Sequence, residues 1–132
     1  LDNPNNFRIL VKIKKSYMNK EQTAVEFCEE VYPETTEEFK KIVGEMYVTF
    51  CKKQRNYGPG NISVGTPLKT KEEVKLALTG IWFRMNDKIQ RLLQMVVMGH
   101  PDEVGEPIQD TYEDLSVYGI IAQIVQRGKW AK

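Results

Sequence analysis

From Phe7 to Ile13 the chain alternates, with Phe7, Ile9, Val11 and Ile13 on one side and Arg8, Lys12 and Lys14 mostly on the other. A two-residue period predicts a half-buried strand. The one other strand-like piece is short, Asn61 to Gly65, so the N-terminal strand is expected to seek a partner in another subunit. A helical N-terminus is the competing reading.

The rest of the pattern is helical. Lys20 to Tyr32 predicts a short helix, closed by Pro33. Thr35 or Thr36 then reads as an N-cap, with Glu37 and Glu38 suited to the first turn. The helix after it is expected to run to about Lys53, with a core stripe of Phe39, Ile42, Val43, Met46, Tyr47 and Phe50. Thr70 caps a further helix, Lys71 to Met98, with a stripe that includes Ile81, Trp82, Met85 and Ile89. A last helix begins near Glu106–Pro107 and ends before Gly128. The expected fold is therefore mainly α: a compact bundle of about four helices with an N-terminal strand or extended arm. The 132 residues suit a single domain. Residues 1–34 form an extension used in assembly, and 35–130 form the helical core.

Between Arg55 and Gly65 lies RNYGPGNISVG, too rich in special residues for an ordinary turn. Gly58 and Gly60 permit left-handed backbone and Pro59 stiffens it. Either this is a stiff connection, or Tyr57 stacks on a ring and Asn61 reads its edge.

Composition narrows the function classes. Formal net charge is +1, from 19 basic and 18 acidic residues, which argues against strong direct nucleic-acid binding. No apolar run is long enough for a membrane span, so no membrane partner is expected. Cys28 and Cys51 make no metal-type spacing with His100 and read as reduced core thiols of a cytoplasmic protein.

The acidic pattern EPIQDTYEDL carries the most chemistry. At about 100° per residue, Glu106, Asp110 and Glu113 fall within roughly 60° of one another, with Asp114 at their edge. Magnesium takes oxygen ligands and could join acids at this spacing. The milder alternative is that acids in a first turn only complement the helix dipole. On the preceding helix, Asp87 is a further candidate ligand, and Arg84, Lys88 and Arg91 could hold phosphates. Alternatively these charges are a solvated face of ion pairs.

Taken together, Asn56-Tyr57-Gly58-Pro59-Gly60-Asn61, Arg84-x-x-Asp87-Lys88-x-x-Arg91-Leu92 and Asp110-Thr111-x-x-Asp114-Leu115 followed by Tyr118 resemble the phage and bacterial "nucleotide modification associated domain 1" family, over roughly Phe39 to Trp130. That family is distantly similar to the all-helical MazG-type pyrophosphohydrolases, which use acids on two helices to bind magnesium and cleave nucleoside triphosphates. Here the RxxDK helix stands where those enzymes carry a paired-glutamate helix.

The resemblance implies a magnesium-dependent nucleotide (di)phosphohydrolase, in the cytoplasm of a bacterial host if phage-encoded. Asp110, Asp114 and Glu106 would be catalytic. Asp87, Glu106, Asp110 and Asp114 would hold Mg2+. Tyr57, Asn61, Arg84, Lys88 and Arg91 would bind the nucleotide, and the protein would form a homo-oligomer. The alternatives are a non-catalytic protein that sequesters a nucleotide or nucleotide signal, and a helical assembly module.

Overall fold

The computed structural model describes residues 3–132, apart from the side chains of residues 15–18. The fold is mainly α, 79% helical, with no strand among the described residues. The chain divides into two compact units, 1–45 and 46–132, and the boundary falls inside the second helix.

The first unit corrects the N-terminal expectation. Residues 7–13 are not a strand but part of α1, Pro4–Val31. Asn3 caps it by accepting from the Asn5 N–H at 3.0 Å, and Pro4 occupies the first turn, where a missing N–H costs nothing. The alternation of Phe7 to Ile13 also contains the helical spacing Phe7, Leu10, Val11, and no breaker separates it from Lys20. The start signal Asn3-Pro4 therefore outranks a short period-two run. α1 ends at Tyr32, which the following proline keeps out of helical geometry.

Pro33 opens α2, Pro33–Tyr57. Thr36 lies inside this helix instead of capping it, its hydroxyl donating to the Tyr32 and Pro33 carbonyls. An ion pair between Lys40 and Glu29 joins the two helices of this unit. The expected stripe on α2 is not a core: the helix has no buried residue, and Phe39 is 70% exposed. Met46 and Phe50 alone of that stripe are half-buried. Cys28 is exposed and Cys51 half-buried, both free, so Cys28 is not the core thiol expected.

The second unit holds the core. α3 is a single turn, Gly60–Ser63, where a short strand was expected. α4, Lys71–Leu92, starts with a full capping box: the Glu73 N–H donates to Thr70 Oγ1 at 3.1 Å, and the Thr70 N–H donates to the Glu73 carboxylate at 3.2 Å. The helix then widens into a π-helical segment, Leu93–Val97, instead of continuing regularly to Met98. α5, Ile108–Gln126, begins after Pro107, so Glu106 lies outside it. Its end is a Schellman turn: Lys129 N–H donates to Ile124 O and Gly128 N–H to Val125 O, with Gly128 at φ +65°.

That turn delivers Trp130 into the core beside Ile62, Ala77, Ile81, Ile121 and Val125. The Trp130 ring meets Phe50 edge to face at 6.2 Å, and its Nε1–H donates to the Pro59 carbonyl at 3.0 Å. The same carbonyl receives the Ile62 and Ser63 N–H groups, so the chain's last turn pins the Gly58–Gly60 bend. Trp130→Ala is expected to lower unfolding stability by about 3 kcal/mol, combining lost burial with an unfilled cavity. Urea unfolding followed by far-UV circular dichroism measures it, and a loss below about 1 kcal/mol would contradict this role.

Candidate functional site

A cleft of about 410 Å³ opens between the last turns of α2, the start of α3, the middle of α4 and the first half of α5. α2 contributes Met46, Phe50, Lys53, Gln54 and Tyr57, a single helical face at spacings of three and four. α5 contributes Glu113, Asp114, Val117, Tyr118 and Ile121 by the same logic. Arg84 comes from α4, and Asn61 and Ile62 come from α3. The upper wall is therefore charged and its base is the edge of the hydrophobic core.

Asp114 ties three of these helices together. Lys53 Nζ of α2 donates to its Oδ1 at 3.1 Å, and Lys88 Nζ of α4 reaches its Oδ2 at 2.9 Å. Partial burial pushes the Asp114 carboxyl up, but the hydrogen bonds from Lys88 and Lys53 and their charges outweigh it and hold the group below the usual value. The Asp114 hydrogen bond in turn raises Lys88 against the opposing effect of burial.

Arg84 is placed differently. Its Nη2 donates to the Asn61 carbonyl at 2.6 Å, and its guanidinium carbon lies 5.9 Å from the centre of the Tyr118 ring. Among the described residues no carboxylate pairs with it. A guanidinium has five N–H donors, so most of its capacity is uncommitted at the cleft wall. Beside it, Asn61 Oδ1 is buried without a hydrogen-bond partner.

Four of the residues given a binding or catalytic role from the sequence meet here: Tyr57, Asn61, Arg84 and Asp114, with Lys88 joined through Asp114. Arg91 does not. It is a clamp at the start of α5, donating to the Glu106 and Pro107 carbonyls and to the hydroxyl of Thr111, which is fully buried. The carboxylates of Glu106 and Asp102 lie 3.8 and 3.9 Å from it.

Nor do the four expected metal ligands converge. Asp87 and Asp110 are exposed on their helices, and neither lines the cleft. Glu106 precedes α5 and lies outside the helix, so helical spacing does not place it one turn below Asp110. Asp114 is engaged by two lysines. Among the described residues no three acids, histidines or cysteines are placed to hold a metal ion. Asp114 would have to release both lysines before its carboxylate could hold magnesium.

Lys53, Glu113 and Tyr118 belong to the cleft but were not assigned to it. Lys53 could have been found from its place on the face of Met46 and Phe50, seven residues past the first.

The signs of the Asp114 and Lys88 shifts set a pH window. A lowered carboxyl stabilises the fold above its unfolded value and loses that contribution as pH falls through the folded value. A raised lysine stabilises below its unfolded value and loses that contribution as pH rises through the folded one. Between these limits Asp114→Asn is expected to cost about 1–2 kcal/mol, and the loss should shrink towards zero as pH falls through the lowered value of the folded carboxyl. Chemical denaturation across pH checks this, and a pH-independent loss would contradict it. No protein-family model, curated protein or solved structure matches the chain.

Proposed function

We propose that the cleft binds a nucleotide and holds it without turning it over. The observation that carries this reading is Arg84, in the cleft wall without a carboxylate partner among the described residues and beside an Asn61 amide oxygen that lacks a hydrogen-bond partner. A buried acceptor without a donor is costly, and a ligand N–H or O–H would satisfy it. The volume of about 410 Å³ falls in the range of small-molecule sites.

The charges divide the ligand. Arg84 and the exposed Lys53 suit phosphate oxygens, which a guanidinium grips in a planar fork. Tyr57, exposed at the cleft rim, offers a face on which a base can stack. The motifs RxxDKxxRL and DTxxDLxxY, which resemble those of the nucleotide modification associated domain 1 family, support a nucleotide over other anions.

Capture is preferred to hydrolysis on the state of Asp114. Its two oxygens are occupied by Lys53 and Lys88, leaving no free carboxylate there to orient water. Glu113, the other acid in the cleft, accepts from the Gln109 side-chain amide through Oε1 at 3.1 Å, and among the described residues no lysine or arginine pairs with it. Metal-dependent pyrophosphohydrolysis is the second reading, and it rests on these two adjacent acids lining the cleft.

Calorimetric titration with a panel of nucleoside triphosphates and cyclic nucleotides, with and without magnesium, tests the proposal. Chromatography of the ligand afterwards reports turnover. Binding with ligand recovered intact is expected. Arg84→Ala should weaken it by about thirtyfold and Tyr57→Ala by about tenfold, with the fold retained. Turnover that Asp114→Asn abolishes would favour the hydrolase, and absence of any binding would leave an assembly module.

A further inference from the structure

Lys53 and Lys88 share one carboxylate, so with Asp114 they form a cluster with one positive charge in excess. The other acid of the cleft, Glu113, accepts from Gln109 and pairs with neither lysine. One lysine can therefore leave Asp114 without stranding a half-buried charge. Exposure and position decide which one.

Lys88 is built in. Its side chain is 22% exposed, its Nζ reaches Asp114 Oδ2 at 2.9 Å, and it does not line the cleft. Burial raises the Asp114 carboxyl, and of the two hydrogen bonds that lower it, the one from Lys88 counts more. Lys53 is the looser partner. Its side chain is 53% exposed, its contact with Oδ1 is 3.1 Å, and it lines the same cleft as Arg84. Its ammonium ends a flexible four-carbon stem and imposes no planar geometry on its acceptor, so bond rotation alone lets it change partner. An exposed pair of this kind shifts an equilibrium by about fivefold or less. A phosphate gripped by Arg84 is an acceptor of equal or greater charge than a carboxylate, which favours the exchange.

We infer that Asp114 competes with a bound phosphate for Lys53: the lysine passes from the carboxylate to the anion, and Lys88 stays behind to compensate Asp114. Asp114 then acts as an internal competitor that sets the threshold for binding. Lys88 is a positioning residue that acts on the ligand through Asp114. This exchange presupposes the nucleotide reading of the cleft, and it adds that residues which do not touch the ligand tune its affinity.

Calorimetric titration of the full chain tests it, with the same nucleoside triphosphates and cyclic nucleotides and with inorganic pyrophosphate. For whichever of these binds the parent, Asp114→Asn is expected to tighten binding about fivefold, the opposite of what loss of a ligand contact would do. Lys53→Met should weaken it about tenfold. Lys88→Met should weaken it about threefold, because Asp114 is left with Lys53 alone. In a Lys53→Met background the effects of Asp114→Asn and Lys88→Met should both fall below about twofold, whereas a general effect of charge would persist. If Asp114→Asn fails to fold, nuclear magnetic resonance of the lysine Nζ groups in the unaltered chain decides: the bound anion should shift Lys53 more than Lys88. Weaker binding by Asp114→Asn, undiminished effects without Lys53, or a larger shift at Lys88 would overturn the exchange and leave nucleotide binding standing. If none of these compounds binds the parent or Asp114→Asn, the nucleotide reading and the exchange fall together.

Discussion

The second unit depends on one carboxylate shared by two lysines. Asp114 on α5 holds Lys53 of α2 and Lys88 of α4, and so fixes the three helices that wall the cleft. Exposed ion pairs are worth little, and Lys53 is half in solvent. Lys88 and Asp114 are each only about a fifth exposed, so their contact is where the energy lies. What the arrangement fixes above all is geometry. With Asp114 occupied, Arg84 lines the cleft without a carboxylate partner among the described residues, and the proposed ligand is accordingly an anion.

A second constraint works from the opposite end of the chain. The Schellman turn at Gly128 carries Trp130 under the Gly58–Gly60 bend, where its ring N–H binds the Pro59 carbonyl. The stretch RNYGPGNISVG is therefore a structural joint and a cleft edge at once. Gly58, at φ +68°, ends α2 just after Tyr57, and the turn of α3 places Asn61 beside Arg84. The two roles share the same backbone, so disturbing the tail should also disturb the cleft.

The helical character, the Thr70 cap and the Gly128 stop were legible because each rests on local chemistry. The first helix was not. Its short alternating run satisfied two periods, and the Asn3-Pro4 start decided between them. The site was half legible for a related reason. Helical spacing located acids on a common face, but it could not show that Pro107 places Glu106 outside the helix or that lysines claim Asp114. Arg91 matched a phosphate ligand by type, yet its position in space makes it a clamp on backbone carbonyls. Lys53 lay 61 residues from its partner Asp114, a separation that no local pattern reports.

The proposed ligand site is the space between Lys53, Asn61, Arg84 and Tyr118. Amide hydrogen exchange with and without a saturating nucleoside triphosphate tests it most directly. Added protection is expected from Lys53 to Ile62 and from Glu113 to Ile121, with little change around Arg91 and Glu106. Unchanged exchange in the first two segments, or protection centred on Glu106, would contradict it.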